Sequence, residues 1–204
     1  MSDVAVWFDL DGTLLAVDDY GQILERACAA VGLEGETRTD FVTGYQETFF
    51  ERLNALEPEP YTDAARAGAE AAGVDVDPET FTEELLAAEC AGTHVPASVR
   101  ECLARLGDDH AVGVLTNGVT DWQTEKLAHH DLREQLDAVV VSQTVGAHKP
   151  RAAPFEAAEA ALEADERWMV GDDREADVDG ARAAGWHGVH VAAPEAVPAA
   201  VEEL

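Results

Sequence analysis

Polar side chains follow four apolar stretches of the sequence, and their types suit phosphate chemistry. Asp9 and Asp11 come directly after the first stretch, Thr116 after the second, Lys149 after the third and Asp172 after the fourth. If these stretches are parallel strands, their carboxyl ends meet at one edge of a sheet, where open α/β folds bind ligands. Three carboxylates gathered there require a hard cation such as Mg²⁺, whereas a hydroxyl and an ammonium suit phosphate oxygens. The set predicts phosphoryl transfer to a carboxylate nucleophile.

The elements that must position these residues alternate between strands and helices. Five apolar runs are predicted as strands: residues 4–10, 111–115, 136–142, 168–170 and 189–191. Helical periodicity fills the segments between the last four runs. This alternation predicts an α/β fold, a Rossmann-like parallel sheet with helices on both faces.

Local signals predict where several helices begin and end. Gly107 is expected to end the helix that precedes the second strand. Thr120 and Gln123 form a capping-box pattern at the start of the following helix. Pro154 is expected to open a later helix that runs through Leu162.

The stretch between the first and second strands is helical throughout, with apolar residues at helical spacing. We therefore predict two domains: residues 1–14 and 95–204 form the α/β core, and residues 15–94 form an inserted helical domain. Four aromatic residues are expected in the core of the insertion, with a substrate pocket as the alternative: Phe41, Tyr45, Phe49 and Phe50.

Four short motifs carry a resemblance to a known family. They are DLDGT (9–13), the threonine of LTNG (115–118), the lysine of HKP (148–150) and GDDREAD (171–177). In this order and at strand ends, they resemble the signature motifs of the haloacid dehalogenase superfamily. The helical insertion lies where that superfamily places its type-one (C1) cap. The resemblance implies a phosphatase-like hydrolase with a capped α/β fold.

The resemblance also implies a role for each motif residue. Asp9 would attack phosphorus and become phosphorylated, while Asp11 would protonate the departing alcohol and then activate water. Mg²⁺ would be held by a carboxylate oxygen of Asp9, the backbone carbonyl of Asp11 and the carboxylate of Asp172. Thr116 and Lys149 would hold the transferring phosphoryl group, and Lys149 would also steady the charge of Asp9.

The same resemblance gives supporting roles to three neighbouring residues. Asn117 would add a donor to the phosphate, and Asp173 and Asp177 would support the metal shell or orient Lys149. Dehalogenating members lack the second aspartate, because a halide leaves without a proton, so Asp11 favours a phosphate ester. Similar small-metabolite phosphatases act on phosphoglycolate, sugar phosphates or nucleoside monophosphates, and the sequence does not separate these substrates.

Two other functions stay open at this point. A phosphomutase or phosphotransferase of the same superfamily would pass the phosphoryl group to a sugar, and the helical insertion carries no pattern that decides this. A non-catalytic phospho-acceptor or binding protein is the other alternative. Receiver domains also combine acidic residues with Thr or Ser and Lys-Pro, but their acceptor aspartate follows the third strand, whereas Asp9 follows the first.

The composition is extremely acidic. The chain has 13 Lys and Arg against 42 Asp and Glu, a formal net charge of −29, and its only lysines are Lys126 and Lys149. Such a surface repels nucleic acid and anionic membranes. The expected partner is a small phosphorylated metabolite, and the chain is a monomer or a homodimer. At roughly 1 M salt the Debye length is about 3 Å, so salt would screen the self-repulsion, and we predict a halophilic protein.

Cysteine usage and the N-terminus predict a cytoplasmic protein. Cys28, Cys90 and Cys102 are odd in number and lie outside any zinc-binding spacing, which is typical of buried thiols in a reducing compartment. The first residues lack the basic start of a secretion signal, and no stretch is long and apolar enough to span a bilayer.

Overall fold

The computed structural model describes residues 4–202, which fold into two compact units. The α/β unit contains residues up to Val17 and from His94 onwards, and the helical unit spans Asp18–Thr93. The strands, in chain order, are β1 (Val4–Phe8), β2 (Ala16–Val17), β3 (Thr93–His94), β4 (Ala111–Thr116), β5 (Ala138–Val141), β6 (Glu166–Gly171) and β7 (His187–His190).

Five of the strands formed by residues 4–202 make a parallel sheet in the order β5-β4-β1-β6-β7. Side chains of β1 alternate between its faces: Val6 and Phe8 join one buried cluster, and Ala5 and Trp7 join another. A strand buried on both faces is typical of parallel sheets covered by helices on both sides. The predicted α/β fold is confirmed, and β1 lies at the centre of the sheet. The short strands β2 and β3 pair separately.

The helices are distributed over both units. The helical unit contains α1 (Tyr20–Ala30), α2 (Gly35–Asn54), α3 (Pro60–Ala72) and α4 (Pro78–Ala91). The α/β unit contains α5 (Ala97–Asp109), α6 (Thr120–His129), α7 (Ser142–Val145), α8 (Ala152–Ala161), α9 (Gly180–Ala183) and α10 (Val197–Ala200). Short 3₁₀ turns span Arg133–Gln135 and Pro194–Ala196, and a π-helical turn spans Arg174–Asp179.

Aromatic side chains form much of the core of the helical unit. Phe41, Tyr45 and Phe81 are buried, and the ring centroids of Phe41 and Phe81 lie 4.6 Å apart, a spacing at which aromatic pairs attract. The expectation that the α2 aromatics pack in a core is confirmed for Phe41, Tyr45 and Phe49. It is wrong for Phe50, which is 58% exposed.

Several predicted boundaries are wrong for identifiable reasons. α5 continues through Gly107 to its end at Asp109, because the burial of its apolar face outweighs the roughly 1 kcal/mol that a helical glycine costs. The capping box is absent, since the N-cap of α6 is Val119 and the Thr120 N–H donates to Oε1 of Gln143 at 2.9 Å. The strand predicted over residues 136–142 is β5, which is shorter at both ends. A 3₁₀ turn ends at Gln135, just before it, and α7 begins at Ser142.

The cysteines Cys28, Cys90 and Cys102 are buried free thiols, as predicted. Burial raises the pKa of the Cys28 thiol to about 11, so this thiol stays protonated at neutral pH. Within the described part of the chain, no helix has the length and apolarity needed to cross a membrane.

Candidate active site

The residues predicted to form the site line a cleft of about 220 Å³ in the α/β unit. The cleft lies beyond the carboxyl ends of β1, β4 and β6. Its walls include every candidate site residue: Asp9, Asp11, Thr116, Asn117, Lys149, Asp172, Asp173 and Asp177. The sheet order explains the convergence of the residues that follow β1, β4 and β6, because β1 pairs with both β4 and β6 in parallel. Lys149 reaches the cleft from the loop after α7.

Lys149 is the centre of a buried charge network. Its ammonium donates to Asp9 Oδ1 at 2.8 Å, to Asp177 Oδ1 at 2.6 Å and to the Leu115 carbonyl at 2.6 Å. Three acceptors match the three donors of an ammonium, so Nζ is fixed against Asp9. Burial opposes the charge of Lys149, but the carboxylates of Asp9 and Asp177 outweigh burial and raise its pKa.

The residues after β6 hold this network in place. Asp177 is 1% exposed, and its Oδ2 accepts a hydrogen bond from the Asp173 N–H at 3.1 Å. Asp173 caps the π-helical turn, since its Oδ1 accepts from the N–H groups of Glu175 at 2.8 Å and Ala176 at 2.9 Å. Asp177 therefore orients Lys149, and Asp173 orients the turn that carries Asp177. π-Helical turns are frequent at functional sites.

Three carboxylates converge beside Lys149. Ligand atoms of Asp9, Asp172 and Asp177 all lie within 4.8 Å of one another. Burial raises the pKa of Asp9 to about 6, against the opposing charge of Lys149. Burial, together with the charge of Asp9, also raises the pKa of Asp172. These carboxylates are costly to ionise together without a cation, and their oxygens are the ligands that hard divalent ions prefer.

The turn after β1 brings its backbone against Asp172. Gly12 has a φ of 83°, and a Cβ at this position would lie 2.6 Å from Oδ2 of Asp172. Glycine is therefore required both by the backbone angle and by the approach of the carboxylate. Thr13 is fully buried, and its hydroxyl donates to Oδ1 of Asp172 at 3.0 Å. Thr13 thus orients Asp172, a role that the DLDGT motif alone does not reveal.

Thr116 and the neighbouring Asn117 make different contacts. The Thr116 hydroxyl is buried in the cleft wall, and its oxygen accepts a hydrogen bond from Gln123 Nε2 at 3.0 Å. Asn117 Oδ1 accepts from the Lys149 N–H at 2.8 Å, and Nδ2 donates to the Lys149 carbonyl at 3.1 Å. The Asn117 amide therefore fixes the backbone of Lys149. Its contact with phosphate stays a prediction.

Two residues of α6 complete the site, and neither is predicted from the sequence. Lys126 Nζ donates to Asp11 Oδ1 at 2.8 Å and to Oδ2 at 2.6 Å, and Gln123 Nε2 donates to Oδ2 at 3.1 Å. A signal for Lys126 is available: in a chain with only two lysines, each retained lysine is expected to need its charge. Gln123 is missed because the capping-box pattern with Thr120 already explains a glutamine at this position. The structure contradicts that explanation, since the capping box is absent.

Comparison with known proteins agrees with this geometry. Residues 6–191 match the family model of the haloacid dehalogenase-like hydrolases. The chain belongs to this family. One relative of the hydrolase is phosphoglycolate phosphatase from Cereibacter sphaeroides, which is 29% identical over 187 residues covering 88% of this chain and 81% of the relative.

Solved structures share the fold of this hydrolase. The HAD-hydrolase YfnB from Bacillus subtilis, bound to magnesium, aligns with a TM-score of 0.68 and 18% identity over 94% of this chain and 89% of YfnB. A 2-haloacid dehalogenase from Pseudomonas syringae pv. Tomato aligns with a TM-score of 0.70 and 20% identity, over 100% of this chain and 99% of its own. The predicted family and fold are confirmed, and the named phosphatase relative supports phosphatase activity.

Proposed function

We propose that this hydrolase is a magnesium-dependent phosphatase that cleaves a small organic phosphate monoester through a phospho-aspartate on Asp9. The observation that carries the proposal is the separate pairing of two aspartates with two buried lysines, Lys149 with Asp9 and Lys126 with Asp11. This pairing supports Asp9 as the nucleophile and Asp11 as the acid and base beside it. The relationship to a phosphoglycolate phosphatase supports the same chemistry.

The reaction has two steps that use the same two carboxylates. In the first, a carboxylate oxygen of Asp9 attacks phosphorus, the ester P–O bond breaks and Asp11 gives its proton to the departing alkoxide. In the second, Asp11 takes a proton from water as the water oxygen attacks phosphorus, and the P–O bond to Asp9 breaks. The Thr116 hydroxyl holds a phosphoryl oxygen and the positive charge of Lys149 stabilises the phosphoryl group, because positioning and charge stabilisation dominate phosphoryl transfer.

The donor set beside Asp9 fits Mg²⁺, because three carboxylates whose pKa values are raised by burial converge there. The carboxylates of Asp9 and Asp172 and the backbone carbonyl of Asp11 would hold the ion, with Thr13 keeping Asp172 oriented. When bound, Mg²⁺ would offset the crowded negative charge and polarise the phosphate oxygens.

The contacts of Asp11 favour phosphoryl transfer over dehalogenation and over non-catalytic binding. Halide release needs no proton, so a dehalogenase has no use for an acid at this position. A non-catalytic binding protein has little reason to bury Lys126 against Asp11, since buried ion pairs seldom stabilise more than apolar residues of similar volume. A phosphomutase shares the first step, and only its acceptor differs.

We assign the helical unit, Asp18–Thr93, to a type-one cap and the enzyme to the cytoplasm. A cap that closes over the cleft would exclude bulk water and favour a small substrate over a protein. The buried free thiols of Cys28, Cys90 and Cys102 support a reducing compartment.

A screen of small phosphate esters, with and without metal, tests the proposal. In molar KCl with Mg²⁺, we expect release of inorganic phosphate from phosphoglycolate, a sugar phosphate or a nucleoside monophosphate. Excess EDTA is expected to lower the rate by about 10²-fold or more, because the carboxylates then lack their cation, and added Mg²⁺ should restore it. Full activity in EDTA would contradict the metal's role, and phosphoryl transfer to a sugar without phosphate release would support a mutase.

We further propose that the enzyme works at high salt, because its net charge of −29 opposes compaction. Raising KCl from dilute buffer to roughly 1 M, where the Debye length is about 3 Å, is expected to raise the thermal unfolding midpoint. Circular dichroism measures the midpoint, and sucrose at matched osmolality separates charge screening from solute exclusion. Equal midpoints in dilute buffer and in molar KCl would rule the idea out.

A further inference from the structure

Gln123 and Lys126 lie three positions apart on α6, and both contact the carboxylate of Asp11. Lys126 reaches both carboxylate oxygens at 2.8 and 2.6 Å, and Gln123 reaches one of them at 3.1 Å. Lys126 is 4% exposed and Gln123 is 3% exposed. Burying such polar groups is costly unless they are hydrogen-bonded or paired. The contacts with Asp11 satisfy hydrogen-bonding groups at the buried ends of both side chains.

Neither Gln123 nor Lys126 lines the cleft, whereas Asp11 does. The contacts by which these α6 residues reach the cleft are therefore those with Asp11 and Thr116. Lys126 fixes the rotation of the Asp11 carboxylate, because one ammonium bonded to both oxygens leaves the group little freedom.

Gln123 extends the same control to Thr116. Its Nε2 donates to the Thr116 oxygen at 3.0 Å. A hydroxyl that accepts at its oxygen keeps its own proton for another acceptor. Among residues 4–202, the Thr116 proton has only a long 3.5 Å contact with the Asn117 carbonyl. One amide of α6 thus directs the Thr116 donor and supports Asp11 at the same time.

We propose that Lys126 is a positioning residue for Asp11, with Gln123 as its partner, so that Asp11 faces the oxygen of the departing alcohol. The inference rests on the proposed phosphatase function. In the first step the bond from Asp9 to phosphorus forms, the ester P–O bond breaks and the proton of Asp11 passes to the alkoxide. Lys126 bonds both oxygens of the ionised Asp11. When Asp11 is protonated, Lys126 keeps its bond to the unprotonated oxygen while the other oxygen delivers the proton, and Lys126 touches neither phosphorus nor the alcohol.

A misplaced acid has a kinetic signature that depends on the leaving group. 4-Nitrophenolate leaves without protonation, whereas the alkoxide of benzyl phosphate, an ester of similar size, needs a proton. The parameter kcat/KM reports steps through loss of the alcohol and excludes the later hydrolysis of phospho-Asp9. Lys126→Met is therefore expected to lower kcat/KM by about 10²-fold for benzyl phosphate and by less than about tenfold for 4-nitrophenyl phosphate.

Three further variants separate positioning from folding. Lys126→Arg can still donate to both oxygens of Asp11 and should restore most of the benzyl phosphate activity. Arg182→Met removes one positive charge from an exposed ion pair and should change neither ester. Gln123→Leu leaves the ion pair in place but also releases Thr116, so it should lower kcat/KM for both esters, with the larger loss for benzyl phosphate, and this difference carries the test if Lys126→Met does not fold.

The outcomes distinguish this inference from the function on which it rests. Equal losses of kcat/KM for the two esters, or no loss, in a folded Lys126→Met or Gln123→Leu variant would overturn the positioning role. A wild-type protein that hydrolyses no phosphate ester at all would refute the phosphatase itself.

Discussion

Asp9→Asn is expected to abolish hydrolysis of every phosphate ester that the wild type cleaves. The amide lacks the anionic oxygen that attacks phosphorus, and loss of a nucleophile from a preorganised site costs roughly 10⁵-fold or more. The measurement is phosphate release in molar KCl with Mg²⁺. Asp165→Asn changes an exposed aspartate in the turn before β6, so this matched control should retain full activity.

The folding control for Asp9→Asn follows from the charge of the site. Burial raises the pKa of Asp9 from 3.8 to about 6, so the folded state holds the Asp9 proton more tightly than the unfolded state does. The stability linked to this group is therefore fully present below 3.8 and is lost as the pH rises through about 6. In metal-free buffer at neutral pH, the ionised Asp9 carboxylate destabilises the folded state. The neutral asparagine lacks this charge, so the thermal unfolding midpoint of Asp9→Asn should not fall below that of the wild type. Normal turnover by the folded variant would contradict the mechanism.

The convergence of Asp9, Lys149 and Asp172 could be predicted because it depends on topology. Asp9 and Asp172 directly follow β1 and β6, and parallel strands bring their carboxyl ends to one edge. Lys149 follows the third apolar run at the same edge, with α7 between them. The sheet itself is predictable for a similar reason, since a strand such as β1, buried on both faces, appears in the sequence as a continuous apolar run.

The contacts of Lys126 and Gln123 could not be predicted in the same way. Both lie inside α6, and a helical position shows only which face a side chain shares, not which part of the fold that face meets. Gln123 also satisfies a capping-box pattern with Thr120, and such local patterns are degenerate. The link from Asn117 to the Lys149 backbone depends on the conformations of two loops, which the residue types alone do not determine.

Lys149→Met is expected to lose both stability and activity. Removing the ammonium leaves Asp9 and Asp177 as buried carboxylates without their shared cation, and breaking a buried pair costs about 3–5 kcal/mol of unfolding free energy. The phosphoryl group also loses a nearby positive charge, so kcat should fall by about 10³-fold. Denaturant titration and phosphate release measure the two effects.

A second substitution separates these two losses. The double variant Lys149→Met/Asp177→Asn removes one of the unpaired carboxylates, so its unfolding free energy should recover part of the loss, while kcat stays at the level of Lys149→Met. The two positions are in contact, so non-additive stability effects are expected. Recovery of activity together with stability would show that Lys149 acts on folding alone.

The contrast with Lys126→Met makes the assignment of Lys149 specific. Both lysines are 4% exposed, and each pairs with one aspartate of the DLDGT motif, so neither burial nor the loss of one charge distinguishes them. Stabilisation of the phosphoryl group is common to all esters. Lys149→Met should therefore lower kcat/KM for 4-nitrophenyl and benzyl phosphate by the same factor. A defect confined to benzyl phosphate would instead place the Lys149 ammonium at the departing oxygen, because only that oxygen differs in its need for a proton.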